Sequence, residues 1–291
     1  AGAVVWEVGL GGRLDATNAV TPRVSLITSI SLDHQKYLGE GIETITAEKG
    51  GIIKTGVPAV ISTTDPAART VIRKICRRRR SELIEVQSRH TARIKESGPR
   101  GQMIEIQGEG SGGKDIFLPL AGGHQADNFL TALTAWEVGE DPAETIRWEQ
   151  VRKAVAEVFW PGRLEPIDLS PGFVLDGAHN PAGARTCAAG LRDLYPGRPI
   201  ILILGILADK AVEEICRILL PAAGAVITVR PPGKRGLDAA RLAVICRRQA
   251  RGRAVRIRPA KNLDSAIEYC YSDPRLSSPS GRRSKLPLIC V

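Results

Sequence analysis

The chain has 291 residues, of which 43% are hydrophobic and 25% are charged, and its formal net charge is +10. This length allows roughly two domains, each able to bury a core of its own, and the composition is typical of a soluble globular protein. The positive charge suits an anionic partner. It equally suits substrates that carry phosphate or carboxylate groups, so it does not by itself predict nucleic-acid binding.

The cysteine pattern and the lengths of the apolar runs bear on the cellular compartment of the protein. The six cysteines are scattered, with no CxxC motif and no Cys/His spacing typical of zinc, which indicates reduced thiols in a cytoplasmic protein. The longest apolar run, IILILGILA from Ile200, is far shorter than a membrane span, and no signal peptide is evident. Because the sequence begins with Ala1 and ends inside another apolar run, LPLICV, we expect it to be part of a longer protein.

The first predicted strand, VVWEV from Val4, is apolar except for Glu7, and a glycine-rich segment follows it directly. An ionised carboxylate inside an apolar strand costs several kcal/mol unless it has a partner. Open α/β sheets bind ligands at the carboxyl ends of their strands, so Glu7 is a candidate ligand for Mg²⁺. The alternative is a structural ion pair between Glu7 and Arg13.

Two more strands, VSLITSI and VPAVIST, are predicted on either side of a helix near residues 42–54. The first of them runs into His34, which would lie at the same sheet edge as Glu7. His34 is either a second metal ligand, a substrate contact or an ordinary loop histidine. Lys49 lies on the predicted helix, which Gly50 and Gly51 close, and taken alone it is a solvated lysine.

A basic helix is predicted next. Asp65 and Pro66 give it an N-cap and a first-turn proline, and Arg77–Arg80 occupy its last turn. Cations there complement the helix dipole, which favours a solvated helix end over a nucleic-acid site. The following runs LIEVQ, MIEIQ and DIFLPL predict an antiparallel β-patch.

The segment from Gly108 to Lys114 has the glycine and lysine spacing of a phosphate-binding loop. That loop needs Ser or Thr after the lysine and lies between a strand and a helix. Here Asp115 follows the lysine and predicted strands flank the segment, so we interpret it as a hairpin tip. Two helices are then predicted, around 129–136 and 151–159.

The C-terminal half is predicted to be a doubly wound parallel sheet. After WPGRLEP, which we interpret as a hinge between domains, five apolar strands alternate with helices near 182–195, 211–220, 238–251 and 261–271. Asp176 ends the first of these strands and Asn180 starts the next helix, whose N-terminus favours anions. Asp176 is thus a candidate ligand for a ribose hydroxyl, and His179 for phosphate or carboxylate.

Six motifs together resemble the folylpolyglutamate synthase/dihydrofolate synthase family of the Mur ligase superfamily: EVGLGGRLDATN, ITSISLDHQKYLG, AEKGGIIK, GGHQADN, PGRLE and DGAHNP. They occur in the family's order over most of the chain. The resemblance implies a Mur-ligase-like α/β fold. Residues 1–162 would form part of a P-loop-type ATPase domain, and residues 163–291 a Rossmann-like glutamate-ligase domain.

The resemblance also implies an activity, namely ATP-dependent addition of L-glutamate to folates, to dihydropteroate, or to both. The reaction would pass through an acyl phosphate, with ATP as co-substrate and Mg²⁺ as cofactor. The enzyme would act on small molecules in the cytoplasm as a monomer, without nucleic acid or membrane partners.

Site residues follow from the matching motif positions. The resemblance assigns Mg²⁺ to Glu7 and His34, and carbamylation by CO₂ to Lys49. It assigns substrate binding to Leu14, Asp15 and Ala16. ATP is assigned to Asn128, Arg163 and Asp176, and a further contact with ATP or glutamate to His179. Lys49, Arg163 and His179 would be the catalytic residues.

The sequence also departs from the family pattern. The glycine-rich ATP loop of the form GTNGKGS, expected before Glu7, is not in the sequence, nor is the TGS segment expected after the final strand. Ser31 and Gly50 replace a usual glycine and alanine. Without that loop the β- and γ-phosphates lack a cradle of backbone N–H groups, so we expect the 291-residue chain on its own to be inactive.

Two other interpretations remain at this point. A Mur-type peptidoglycan ligase would keep the chemistry and change the acceptor, although LDATN and DHQKYLG argue against it. A non-catalytic remnant, or a basic nucleic-acid-binding module using Arg77–Arg80, would not be an enzyme.

Overall fold

The computed structural model describes residues 2–108, 113–140, 146–167, 172–198, 200–272 and 288–290. The chain divides into two compact units. The first comprises Ala1–Lys95, Met103–Phe117 and His124–Val155, and the second comprises Glu96–Gln102, Leu118–Gly123 and Ala156–Val291. No helix in the described ranges is both long and apolar enough to span a membrane. The predicted domain boundary at residue 162 stays a prediction.

The first unit contains a parallel sheet in the order β1-β2-β3. Its strands are β1 (Ser25–Ile27), β2 (Ala59–Ile61) and β3 (Leu83–Glu85). The helices of this region are α1 (Gln35–Leu38), α2 (Ile42–Gly50), α3 (Pro66–Arg79) and α4 (Val86–Arg89). All three residues of β2 are buried, as expected for a parallel strand covered on both faces. The predicted strands VSLITSI and VPAVIST and the helix between them are confirmed, each shorter than predicted.

Helix α3 begins where the sequence predicts. The Asp65 side chain accepts a hydrogen bond of 2.9 Å from the Ala68 backbone N–H, and Pro66 occupies the first turn. Ile72 and Cys76 are buried in the same core cluster as residues of α2. The arginine run lies at the C-terminus of α3, which also agrees with the prediction.

A second sheet has the order β4-β5-β6 and consists of β4 (His90–Gly98), β5 (Gly101–Gly108) and β6 (Lys114–Leu118). The predicted hairpin tip therefore does lie between two strands, with residues 109–112 outside the described ranges. Helices α5 (His124–Gly139) and α6 (Trp148–Ala156) follow. Helix α6 ends before Val158 and Phe159, which are exposed, so the predicted second helix was too long.

The assignment of LIEVQ to the antiparallel patch was wrong. Its first three residues form β3, where Ile84 is buried and lies opposite Val60 of β2 in parallel register. Strand β4 takes its place in the second sheet. Most β4 residues are exposed, so the strand lacks the apolar alternation by which a strand is recognised in a sequence.

The predicted first strand, VVWEV, was also wrong. Residues 2–8 have no regular secondary structure, and Val4 and Val5 are 72% and 96% exposed. An apolar strand needs a neighbour to satisfy its backbone groups, and in the described residues no strand pairs with this segment. Glu7 is consequently exposed rather than buried, so the energetic argument for a partner of its carboxylate does not hold.

The second unit is a six-stranded sheet in the order β11-β10-β9-β12-β8-β7. Its strands are β7 (Glu165–Ile167), β8 (Phe173–Leu175), β9 (Ile200–Leu204), β10 (Ala223–Thr228), β11 (Arg256–Pro259) and β12 (Leu288–Cys290). Its helices are α7 (Pro181–Leu194), α8 (Val212–Leu219), α9 (Ala239–Gln249) and α10 (Leu263–Ser272). The predicted doubly wound sheet is confirmed, since all adjacent pairs are parallel except β7 with β8.

Two features of this sheet explain its sequence pattern. Strand β9 is buried throughout, and its side chains alternate between faces: Leu202 and Leu204 belong to the core formed with α7, α8 and α9. Ile201 and Ile203 belong to the core formed with α10. The antiparallel strand β7 was not predicted, because its central residue is Pro166, and proline is confined to edge strands.

The close packing of α2 against α3 depends on Gly50. This glycine is buried at the end of α2, and a Cβ atom there would lie 2.5 Å from Cδ1 of Ile75 on α3. Glycine inside a helix costs roughly 0.5–1 kcal/mol relative to alanine. The Ile75 side chain occupies the space that the alanine methyl group would need, which gives a packing reason for the glycine.

We expect Gly50→Ala and Ile75→Val to be coupled. Alanine gains helix propensity but displaces the Ile75 terminal methyl group, and valine removes that methyl group. The double variant should be more stable than the sum of the single variants by at least about 0.5 kcal/mol in urea unfolding. As a control, Gly50→Ala combined with Val244→Ala, an exposed site in the other unit, should be additive. Additivity in both pairs would contradict the packing explanation.

Candidate functional site

The glycine-rich segment of the first unit is held together by one carboxylate. Asp15 accepts hydrogen bonds through Oδ2 from the backbone N–H groups of Gly9, at 3.1 Å, and Leu10, at 3.0 Å. Through Oδ1 it accepts from the Thr17 hydroxyl at 2.6 Å and the Thr17 N–H at 3.0 Å. It thereby caps a short 3₁₀ helix, Ala16–Ala19. The Thr17 hydroxyl, followed by the backbone donors, lowers the pKa of the Asp15 carboxyl to about 2.

This segment packs against the C-terminal end of α2. The Arg13 backbone N–H donates to the Glu48 carbonyl oxygen at 2.9 Å, and the Arg13 guanidinium forms an ion pair with the Glu48 carboxylate at 3.0 Å. Glu48 is therefore the partner of Arg13. The alternative pairing of Arg13 with Glu7 was wrong, and Glu7 has no ion-pair partner in the described part of the chain.

Two glycines permit this close approach. A Cβ atom on Gly12 would lie 3.0 Å from the carbonyl oxygens of both Glu48 and Lys49, and a Cβ on Gly51 would collide with Arg13. Lys49 itself is half-buried at the end of α2. The structure thus brings the GLGGRLDATN and AEKGG motifs together, although they are far apart in sequence.

The predicted metal ligands are not part of a preformed cluster. His34 precedes α1 in a left-handed conformation with φ of 53°, and its Nε2 lies 3.8 Å from the Asp33 carboxylate. No group of three or more His, Cys, Asp or Glu side chains could hold a metal ion among the residues that the structure describes. Magnesium commonly uses one or two protein ligands together with waters and phosphate oxygens. Both the Glu7 carboxylate and the His34 side chain are exposed, so their role as magnesium ligands stays a prediction.

The other predicted residues of the first unit are accessible. Leu14 is 81% exposed, and Ala16 is exposed beside it. Asn128 lies on α5, is exposed, and donates to the Gln125 side chain at 2.9 Å. Next to it, partial desolvation raises the pKa of the Asp127 carboxyl. Asp127 was not predicted as a site residue.

In the second unit, two turns are joined through Asp176. Its Oδ2 accepts from the Leu164 backbone N–H at 3.0 Å, and its Oδ1 accepts from the Ala178 N–H at 2.9 Å. The Gly177 N–H also donates to the Gly162 carbonyl oxygen at 2.9 Å. The PGRLE and DGAHNP motifs therefore form one structure. Asp176 holds it together, a role that the sequence analysis did not predict.

Leu164 anchors this pair of turns in the core. It is 1% exposed although it has a left-handed backbone with φ of 49°, an unfavourable conformation for leucine. Its side chain fills the space beside Gly190 of α7, where a Cβ atom would collide with it. This anchor was not predicted from the sequence. Two sequence features could have indicated it: Leu164 is an apolar residue within a polar turn, and Gly190 is a glycine inside a helix.

Arg163 and His179 project from these turns. Arg163 is exposed, and its Nη1 donates to the Gly162 carbonyl oxygen at 3.2 Å. The Arg163 guanidinium forms no ion pair with any residue that the structure describes. His179 is exposed, with Nδ1 3.0 Å from the Gly177 carbonyl oxygen. The adjacent helix α7 is capped by Asn180, whose side chain accepts from the Gly183 N–H at 2.8 Å.

Both units match known protein families. Residues 1–136 match the Mur ligase middle domain, and residues 162–274 match the glutamate ligase domain of Mur ligases. The dihydrofolate synthase/folylpolyglutamate synthase of Mycobacterium tuberculosis is 36% identical over 276 residues, which cover 92% of this chain. The chain belongs to the folylpolyglutamate synthase/dihydrofolate synthase family of Mur ligases.

Other members of this family agree. The Bacillus subtilis dihydrofolate synthase/folylpolyglutamate synthase is 36% identical over 227 residues, or 77% of this chain. The M. tuberculosis folylpolyglutamate synthase solved in complex with ADP superposes with a TM-score of 0.86 at 33% identity, covering 98% of this chain and 63% of that one. The chain spans about half the length of the curated relatives it matches, 56% and 52% for these two synthases. The Mur-ligase-like α/β fold expected from the sequence is confirmed.

We expect Asp15→Ala to disorder the glycine-rich segment. The variant removes the acceptor of three backbone N–H groups, so hydrogen exchange at Gly9, Leu10 and Thr17 should be at least about tenfold faster. In the wild type the Asp15 pKa is lowered, so the ionised carboxylate stabilises the folded segment fully at pH values above the ordinary aspartate pKa. Protection should therefore persist to about pH 4 and be lost as the pH falls towards 2. Asp209→Ala, which breaks an exposed ion pair, serves as control. Unchanged exchange in Asp15→Ala would contradict the assigned role.

Leu164→Ala should destabilise the second unit by about 2–5 kcal/mol, because it leaves a cavity beside α7 and keeps the unfavourable backbone conformation. The measurement is urea unfolding followed by circular dichroism. Leu14→Ala, the same change at an exposed site, should shift stability by less than about 0.5 kcal/mol. Equal effects of the two variants would show that Leu164 is not an anchor.

Proposed function

We propose that this chain carries the ATP- and glutamate-handling parts of a ligase that adds L-glutamate to folates, to dihydropteroate, or to both. The observation that carries the proposal is the likeness to the ADP complex of M. tuberculosis folylpolyglutamate synthase over 98% of the chain. The M. tuberculosis and B. subtilis relatives are both named dihydrofolate synthase/folylpolyglutamate synthase, which supports both acceptors equally.

The proposed domains are residues 1–162 and 163–291. The matches to the middle domain over 1–136 and to the glutamate ligase domain over 162–274 support this division. In this proposal the enzyme is a cytoplasmic monomer that handles small molecules rather than nucleic acid or membranes.

The proposed reaction has two steps. A carboxylate oxygen of the acceptor attacks the γ-phosphorus of ATP, and ADP leaves, which gives an acyl phosphate. The amine of L-glutamate then attacks the acyl carbon, phosphate leaves, and the nitrogen loses a proton. Negative charge is concentrated on the transferring phosphoryl group in the first step, so cationic groups close to it stabilise the transition state.

Arg163 is the proposed cation. Its exposed guanidinium has no carboxylate partner among the described residues, and its backbone is fixed by the buried Leu164 on one side and Gly162 on the other. This arrangement supports a positioned rather than a freely moving charge. Asp176 and Asn128 are the further proposed ATP contacts, and His179 the further contact with ATP or glutamate. The Asp176 carboxylate accepts two backbone N–H groups and has a hydrogen bond with the Cys187 thiol, which leaves acceptor capacity for one ribose hydroxyl.

Glu7 and His34 are the proposed protein ligands for Mg²⁺, which when bound would offset the charge of the ATP phosphates. Lys49 is the proposed site of carbamylation, and its position beside the glycine-rich segment supports a role there. Intact-mass measurement in bicarbonate buffer, with Lys49→Ala as reference, tests for one added CO₂.

The acceptor is proposed to bind at Leu14, Asp15 and Ala16. Leu14 presents an exposed apolar surface suited to an aromatic pterin ring. The Asp15 carboxylate already accepts four hydrogen bonds, so its proposed contribution to the acceptor site includes holding Leu14 and Ala16 in position.

A chimera tests the function. The regions of the M. tuberculosis relative that lie outside the aligned segment are fused to this chain, and incorporation of radiolabelled L-glutamate into dihydropteroate and tetrahydrofolate is measured. We expect ATP-dependent incorporation by the chimera and none by the 291-residue chain alone. Incorporation only into UDP-sugar peptides would favour a peptidoglycan ligase, and a folded chimera inactive on all acceptors would contradict the proposal.

In this chimera, Arg163→Ala should lower kcat by roughly 10²–10³, with a smaller change in KM for ATP, because the charge acts mainly in the transition state. Arg163→Lys should recover part of the rate. Arg251→Ala removes an exposed arginine in a turn of the same unit and should leave the rate unchanged. Wild-type kcat in Arg163→Ala would refute the assigned role.

A further inference from the structure

A basic cavity in the first unit is not used by the proposed reaction. It has a volume of about 500 Å³ and lies between the C-terminal half of α3 and the segment that runs from Ser81 through β3 to Ser88. Three arginines line it, Arg73, Arg77 and Arg80. We call this cavity, lined by these arginines with Ser81, Glu85 and Ser88, the arginine pocket.

The three arginines share one face of the helix. Their spacing of four and three residues places Arg73 and Arg77 one turn apart on α3, with Arg80 directly after its end. Arg78 and Arg79, which belong to the same basic run, do not line the cavity. Of the four consecutive arginines at this helix end, Arg77 and Arg80 therefore line the pocket and the other two do not.

The charge in the pocket is not neutralised. Glu85 is its acidic lining residue, and its carboxylate is already paired with Arg69 and with Arg73, the latter at 3.2 Å. Arg77 and Arg80 have no side-chain ion pair or hydrogen bond in the part of the chain that the structure describes. Two exposed cationic residues thus line one cavity without a counter-charge from the described residues.

The helix dipole explains only part of this arrangement. A helix C-terminus is equivalent to about half a negative charge, which a single cation in the last turn offsets. Arg80 moreover has a left-handed backbone with φ of 49° at the position after the helix, where glycine is preferred. An arginine in this unfavourable conformation that also lines a concave surface indicates that its side chain has a role other than a solvated helix end.

The hydrogen-bonding groups of the pocket define its ligand. The Ser81 hydroxyl already donates to the Val57 carbonyl oxygen at 2.6 Å, and the Ser88 hydroxyl donates to the Glu85 carbonyl oxygen at 2.7 Å. The free donors are therefore the guanidinium groups, which bind phosphate oxygens in a bidentate manner. A cavity of this size lies within the range of small-molecule sites.

We propose that the arginine pocket binds a small molecule that carries two or more phosphate groups. The phosphates would supply the counter-charge that Arg77 and Arg80 lack. This proposal does not depend on the ligase activity, because the residues assigned to ATP lie elsewhere in the chain, at Asn128, Arg163 and Asp176.

The test uses the 291-residue chain and inorganic tripolyphosphate in isothermal titration calorimetry at 150 mM salt. Arg77→Gln combined with Arg80→Gln should weaken binding at least about tenfold. Arg78→Gln combined with Arg79→Gln removes the same charge from the same helix end and should weaken it less than about twofold. Arg163→Ala should leave this binding unchanged, which separates the pocket from the proposed ATP site. Thermal unfolding of each variant verifies that it is folded.

Three results would overturn the proposal. They are no binding of tripolyphosphate by the wild type, equal weakening in the two double variants, and binding that Arg163→Ala abolishes. A single-stranded oligonucleotide provides a further arm. If it binds through Arg77 and Arg80 while tripolyphosphate does not, the site is a nucleic-acid contact and the small-molecule proposal is wrong.

Discussion

Backbone N–H groups in tight turns have no helix or strand partner, and in this protein two aspartates supply acceptors for them. Asp15 satisfies three such groups around the glycine-rich segment, and Asp176 joins the PGRLE and DGAHNP turns. Because unsatisfied backbone donors are costly, these two carboxylates determine which conformations the turns adopt. The accessible side chains proposed to contact ligands, Leu14 and Arg163, have defined positions only because their neighbours are held in this way.

The sequence predicted the second unit well, for physical reasons. Strand β9 lies between two neighbours and is covered on both faces, so it reads as an uninterrupted apolar run that only a buried strand explains. Helix α7 carries its own start signal in Asn180 and Pro181. Local chemistry and long-range packing agree in these elements. Strand β7 was missed because Pro166 is typical of a turn, and only the edge position in the sheet makes it compatible with a strand.

The first unit was predicted less well because the state of an apolar segment depends on its neighbours. The run VVWEV has the composition of a buried strand, yet Val5 is 96% exposed and Glu7 lies at the surface. The burial argument for Glu7 was therefore wrong, and its assignment as a metal ligand rests on the family resemblance alone. Likewise, the pairing of Arg13 with Glu48 and the anchor formed by Leu164 involve residues distant in sequence, and no local pattern specifies such contacts.

The seating of Leu164 beside Gly190 has a consequence for how this protein tolerates sequence change. Arg163 directly precedes Leu164, whose side chain is buried against α7. The position of the Arg163 guanidinium therefore depends on how well this helix is packed. Slight loosening of α7, too small to unfold the unit, would let the turn rotate and misdirect the charge. Natural variation around Gly190 should accordingly be limited by catalytic turnover as well as by folding. This holds although Gly190 is buried and is not itself proposed to contact a substrate.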